Sequence, residues 1–239
     1  MKGEKPEVSV IIPAYNEEKY LPRCLESLRK QEFNMNKVEI IIVDNNSTDD
    51  TAKVAKKYRV RLLRESRKGI GFARDAGFKA ANAEIIATTD ADTILPKNWI
   101  KIISEEFKKD KECVCIFGPS YYHDASRIMK RVSKMLSLVG RLIMGLLGEP
   151  ILPGYNYACR KSAFLKTGGF NTDLNVCVDL DMGFKLKKIG KIKFVKNMWA
   201  FPSARRLHRI GVRNFLLSGL RGLKAYLTCT SEEPFEDFR

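Results

Sequence analysis

The strongest constraint on this chain is a repeat of pattern in its first 118 residues: short β-branched runs alternate with stretches of helical periodicity. The run Val-Ser-Val-Ile-Ile at 8–12 stops at Pro13, and an amphipathic stretch carrying Leu21, Leu25 and Leu28 follows. A second run at 38–43 ends at Asp44, and the polar residues 45–49 offer N-caps for a helix through Tyr58. Residues 60–63 read as a third strand and 69–81 as a helix. Residues 83–89 form a fourth run that ends at Asp90-Ala91-Asp92; a helix over 98–108 and a strand over 113–118 complete the series. Successive βα units of this length predict an α/β, Rossmann-like, mainly parallel sheet with helices on both faces. Ligands of such sheets bind beyond the carboxyl ends of the strands. The polar clusters at 13–17, 44–49 and 90–92 all fall at strand ends.

The second half follows another rule. Residues 127–148 carry a helical apolar stripe (Val132, Leu136, Val139, Ile143, Leu147) broken by Pro150, Pro153 and Gly154. A short helix is expected over 179–189, and another over 211–228 with Phe215, Leu216, Leu220, Leu223 and Leu227 mostly on one side. Charge divides in the same way: 22 basic and 19 acidic side chains lie in residues 1–120, against 21 and 9 in 121–239. A basic second half says something about partners rather than about fold. Anionic lipid attracts each nearby Lys or Arg by about 1 kcal/mol, so the two apolar stripes suit either a membrane interface or the covering of an ordinary core. No stretch approaches the roughly 20 apolar residues needed to span a bilayer, and Arg141 interrupts the most apolar one. No secretory signal is visible, and the six cysteines show no C-x-x-C pair or nearby histidine. They read as reduced core residues, which favours a cytoplasmic protein, free or peripheral on the cytoplasmic face of a membrane.

Asp90-Ala91-Asp92 carries the clearest chemistry. Two carboxylates bracketing one small residue after a buried strand can hold a hard divalent cation and leave positions for phosphate oxygens, an arrangement suited to Mg²⁺ or Mn²⁺. The competing reading is a solvated turn. Asp44 ends a strand where an acid can accept from a ribose hydroxyl or a base N–H, and Asp49 reads as a helix cap. A G-x-G-x-x-G after the first strand and a G-K-[ST] are both absent, which excludes a dinucleotide fold and a P-loop.

Taken in order, Val8-Ser-Val-Ile-Ile-Pro-Ala-Tyr-Asn-Glu-Glu18, Val43-Asp-Asn-Asn-Ser-Thr-Asp49, Lys68-Gly-Ile-Gly-Phe-Ala-Arg-Asp-Ala-Gly77 and Thr89-Asp-Ala-Asp92 resemble the family 2 glycosyltransferases of GT-A fold. Gly168-Gly-Phe170 and Val178-Asp-Leu-Asp-Met182 resemble that family's acceptor-side segment. The resemblance covers roughly residues 8–205, so 1–205 is expected to be the GT-A domain and 206–239 a basic helical C-terminal appendage with an acidic tail. It implies a UDP- or GDP-linked sugar donor, a divalent metal (Mg²⁺ or Mn²⁺) and inversion at the anomeric carbon. By resemblance, Pro13, Ala14, Tyr15 and Glu17 line the nucleotide pocket and Asp44 meets the base or ribose. Arg74 lies near the base or phosphates, Asp90 by the ribose or the metal, Asp92 is the main metal ligand, and Asp179 holds the place of the catalytic base. Arg205 and Arg206 can assist the diphosphate, and His208 matches a C-terminal metal-binding histidine by position alone.

Two departures matter. The family commonly has Asn where this chain has Asp75, and Glu-Asp where it has Val178-Asp179. An acceptor phosphate is already ionised at neutral pH and needs little help from a general base, so a polyprenyl phosphate acceptor would make the second departure tolerable; a glycan acceptor stays open. A nucleotide-sugar-binding module that has lost transfer is the alternative, although Asp90, Asp92 and Asp179 are all present. Nucleic acid is not an expected partner, since no helix-turn-helix, zinc finger or aromatic RNP pattern accompanies the pI near 9.6.

Overall fold

The computed structural model describes residues 5–146, 151–174, 177–211 and Leu217. Its centre is a seven-stranded sheet of order β3-β2-β1-β4-β6-β5-β7. The strands are β1 (Val8–Ala14), β2 (Val38–Asp44), β3 (Arg61–Arg64), β4 (Ile85–Thr88), β5 (Cys113–Phe117), β6 (Tyr157–Arg160) and β7 (Lys191–Phe194). All neighbours pair in parallel except β6, which runs against both β4 and β5. Helices α1 (Leu21–Arg29), α2 (Thr51–Lys57), α3 (Ile70–Ala80), α4 (Trp99–Lys109), α5 (Arg127–Leu146), α6 (Lys161–Lys166) and α7 (Val178–Ile189) connect or cover them.

Every residue of β1 is buried, because both faces of the sheet carry a core. Val8, Val10 and Ile12 pack with Leu25, Trp99 and Ile103 on one side, while Ile11, Ile41 and Val43 pack with Phe78, Phe164 and Met182 on the other. A continuous apolar run is what burial on both faces demands. The edge strands β3 and β7 carry Arg61, Arg64, Lys191 and Lys193, charges that discourage further strand pairing.

One expectation needs correction, and the sheet holds two strands that the pattern did not announce. Pro13 does not stop the first strand, which continues to Ala14. Ile11 accepts from Thr89 on the β4 side, so Pro13 faces that side too, beyond the last pair of β4, Ile11 with Thr88. The missing N–H therefore costs no ladder bond. The strand over 113–118 does not neighbour β4, because β6 is inserted between them. Both β6 and β7 went unread: Tyr-Ala-Cys-Arg has no β-branched residue, although the alternation Lys-Ile-Lys-Phe of β7 carried an edge-strand signal. Cys24, Cys113, Cys115 and Cys159 are buried thiols, as expected, while Cys177 is half-buried. The helix expected over 211–228 and the acidic tail lie outside the described residues, apart from Gly211 and Leu217.

α5 is placed unlike the other long helices. Met129 packs toward Ala125, Ala204 and Leu207, and the Ser137 hydroxyl accepts from the Ser120 N–H. The opposite face, with Ile128, Val132, Met135, Leu136 and Val139, is exposed, Ile128 at 76%. Of the expected apolar stripe, Val132, Leu136 and Val139 are turned outward; Leu147 and the Ile143 side chain lie outside the described residues.

Candidate functional site

Parallel strands deliver their carboxyl ends to one rim, so the loop after β1 (Tyr15 to Glu17), the end of β2 (Asp44) and the turn after β4 (Asp90 to Asp92) lie together there. α7 brings Asp179 in its first turn, and residues 203–206 arrive from beyond β7. Two arginines tie these pieces into one site.

Arg74 is the buried tie. Its helix lies close on the sheet because Gly77 faces β1 and β2: a Cβ there would stand 2.4 Å from Ile11 Cγ2 and 2.8 Å from Val43 Cγ2. One turn earlier, Arg74 is 3% exposed. Its Nη2 donates to Asp90 Oδ1 at 3.0 Å, and its Nη1 donates to Asp179 Oδ2. Burial works against the guanidinium charge, but Asp179 and Asp90 outweigh it and raise the Arg74 pKa. For Asp179 burial dominates and pushes the carboxyl above the usual range, with Arg74 pulling the other way and Asp90 adding to the rise. The Tyr157 hydroxyl is buried beside this pair and is itself raised, first by burial and then by Asp179. Gly154 closes the other side; a Cβ there would come within 2.3 Å of Arg74 Nη2 and 2.5 Å of Asp179 Oδ2.

Arg205 is the rim tie. It meets Glu17 with both Nη atoms, at 2.8 and 2.5 Å, a bidentate fork. Its Nε lies 2.9 Å from Asp92 Oδ2, and its guanidinium stacks 4.3 Å over the Tyr20 ring. Glu17 is 2% exposed and its backbone N–H donates to Thr51 Oγ1. Ahead of Arg205, Asp124 accepts from the Ala204 N–H at 2.6 Å and the Ser203 hydroxyl at 2.5 Å. An open cleft of about 390 Å³ borders this tie, lined by Asn16, Tyr20, Asp49, Arg205 and Arg209 among others.

The other predicted residues fall as follows. Pro13 and Ala14 are buried in β1 and anchor the loop; the Ala14 carbonyl accepts from the Asn45 N–H. Tyr15 is half-buried on the rim. Asp44 is 5% exposed and accepts from the Ser47 N–H. Asp49 does act at a helix start, accepting from the Thr51 N–H while its other oxygen takes the Glu18 N–H. Asp75 has a local role, holding the Phe170 N–H and Lys79. His208 is exposed, and among the described residues no three His, Cys, Asp or Glu side chains converge as a metal cage.

Residues the sequence reading passed over complete the rim. The buried Asn45 amide donates to the Glu65 and Arg67 carbonyls and accepts from Gly69, fixing the approach to α3. Asn156 accepts from the Trp99 indole and donates to the Pro119 and Met198 carbonyls. Gly154 and Asn156 had only a turn signal after Pro153 to announce them.

The donor set suits a divalent cation shared with a substrate. Asp92 already rests against a cation, the Arg205 guanidinium, and two carboxylates one residue apart leave the remaining positions to water and phosphate oxygens, as Mg²⁺ and Mn²⁺ prefer.

Against known proteins, the profile of glycosyl transferase family 2 matches residues 9–168. Chondroitin synthase of Escherichia coli is 28% identical over 211 residues, which cover 81% of this chain and 28% of that enzyme. Hyaluronan synthase of Pasteurella multocida is 29% identical over 200 residues, 81% of this chain and 20% of the relative. The chain thus spans less than a third of either relative. In structure it is similar to S. aureus TarS 1-349 in complex with UDP-GlcNAc, with a TM-score of 0.68 and 21% identity over 82% of this chain and 58% of that one. It is also similar to the mannosyltransferase PcManGT of Pyrobaculum calidifontis in complex with GDP-Man and Mn²⁺, with a TM-score of 0.65 and 22% identity over 84% and 57%.

Proposed function

The chain belongs to glycosyl transferase family 2 and has the GT-A fold, and on that premise we propose that it transfers a sugar, with inversion, from a nucleoside diphosphate donor to an acceptor at a membrane surface. The observation that carries this is the rim itself: Glu17, Asp90, Asp92 and Asp179 come together from three separate segments, held by two guanidiniums.

Asp44 and the loop from Pro13 to Glu17 receive the nucleoside. Asp92, with Asp90, would hold Mg²⁺ or Mn²⁺, which supplies charge neutralisation on the departing diphosphate. Arg74, Arg205 and Arg206 add positive charge on the same side. The acceptor oxygen forms its bond to the anomeric carbon as the carbon–oxygen bond to the diphosphate breaks, and the electron pair leaves with the nucleoside diphosphate. A hydroxyl acceptor passes its proton to Asp179, whose raised pKa suits a base. A phosphate acceptor has no proton to pass. Val178 in place of an acid, and an Asp179 held by Arg74, favour a lipid phosphate. So does α5, whose sequence carries five Lys and Arg and no acid and whose apolar face is turned outward. The relatives named chondroitin and hyaluronan synthase support a glycan hydroxyl instead.

Calorimetric titration of UDP and GDP, each with and without Mn²⁺, against the wild type and Asp92→Asn tests the donor half. Metal-dependent binding of one nucleotide, lost in the variant, is expected. Equal binding by the variant, or none of either nucleotide by the wild type, would sink the reading. Asp179→Asn then separates the acceptors: transfer to a polyprenyl phosphate should persist, and transfer to a sugar hydroxyl should fall about 10²- to 10⁴-fold.

A further inference from the structure

Arg205 presents its two edges differently. Both Nη atoms engage Glu17, at 2.8 and 2.5 Å, whereas Nε meets Asp92, at 2.9 Å. The guanidinium can therefore give up Asp92 and keep a buried anchor. Its backbone is pinned separately, since Asp124 holds Ser203 and Ala204 and the Arg205 N–H donates to Ser203 Oγ. Motion is thus confined to the side chain, which lies beside an open cleft and retains 24% exposure. The Arg74 side chain, on the second tie, is buried and has no such freedom.

Resting on the reading of Asp92 as a metal ligand, we propose that Arg205 is an internal competitor for the divalent cation. In the donor-free protein it neutralises Asp92 and keeps cation affinity low; an arriving diphosphate gives the guanidinium a new anionic partner and frees Asp92. Metal and nucleoside diphosphate then bind as a pair, and the strength of that linkage is set by Arg205. Binding free energies are reciprocal, so removing Arg205 must act in opposite senses on two quantities. Affinity for the cation alone rises, and the factor by which nucleotide improves cation affinity falls.

The experiment is Mn²⁺ titration followed by the electron paramagnetic resonance signal of free Mn²⁺, for wild type, Arg205→Met, Arg205→Lys and Asp92→Asn, with and without UDP or GDP. Arg205→Met should bind Mn²⁺ alone roughly tenfold more tightly than wild type, and its enhancement by nucleotide should shrink by about the same factor. Arg205→Lys, a point charge without the fork, should fall between the two and guards against a folding defect in the methionine variant. Equal or weaker binding of Mn²⁺ alone by both Arg205 variants overturns the proposal. If Asp92→Asn weakens Mn²⁺ binding in the same series, the metal-ligand reading survives that outcome; if Asp92→Asn binds like wild type, both fail.

Discussion

The two arginine ties solve one problem, a guanidinium between two carboxylates, in contrasting ways. Arg74 projects from the middle of a helix pressed on the sheet through Gly77, with Gly154 packed against its far side. Arg205 sits at the start of a helical segment on the rim, beside a cleft open to water. Their difference is one of replaceability. Buried charges without partners are costly, so Arg74 is part of the frame that sets where Asp90 and Asp179 stand. Arg205 keeps a buried anchor in Glu17 but faces the cleft, where a ligand can reach it, so it belongs to the working surface.

The largest effect should come from breaking the buried tie. Arg74→Met removes a fully buried guanidinium and strands Asp179, and should cost about 3–5 kcal/mol of stability, against about 1–3 kcal/mol for Arg205→Met, which strands the buried Glu17 carboxyl but opens the guanidinium's place to the cleft. Denaturant unfolding of both variants checks this, and similar losses would erase the distinction. A smaller effect is expected from Gly154→Ala, which presses on the Arg74–Asp179 pair without changing a charge. It should cost about 1–3 kcal/mol and slow sugar transfer while leaving nucleotide binding in calorimetry intact.

The smallest effect concerns the rim tie alone. Burial by itself would raise the Asp124 carboxyl, but the Ala204 N–H and the Ser203 hydroxyl hold it below its ordinary value. A depressed folded pKa stabilises above the unfolded value near 3.9 and loses that contribution as pH falls through the folded one. Asp124→Asn should therefore be less stable than wild type by about 1 kcal/mol at pH 7, and the gap should close toward pH 3. Unfolding at a series of pH values reads it; a gap independent of pH would remove the carboxylate from the account.

The same contrast marks how far the sequence could be read. The half that repeats βα units was legible to within a residue or two, because burial on both faces writes strands as apolar runs and parallel topology puts polar residues at their ends. Asp44, Asp90 and Asp92 were singled out that way, while Glu17, Arg74 and Asp179 came through the resemblance. Hidden was everything that depends on which distant segments meet: the pairing of Arg74 with Asp179 across 105 residues, the pairing of Arg205 with Glu17 across 188, and the insertion of β6. Gly154 and Tyr157 act by shape against those pairs, and shape between remote segments leaves no periodicity in a sequence.

That inserted strand has an architectural consequence. Because β6 runs against its neighbours, the chain leaves the sheet after β5 and re-enters before β6 at the same rim, where the Gly118 N–H reaches the Asn156 carbonyl and the Asn156 amide reaches the Pro119 carbonyl. The segment between them, including α5, is a closed excursion fastened at its base. Only α5 stands clear of that base: Asp124 before it and Gly154 after it are fixed to the two arginine ties, so the helix can change its exposed face without shifting a strand, whereas its two flanks cannot change without disturbing the site.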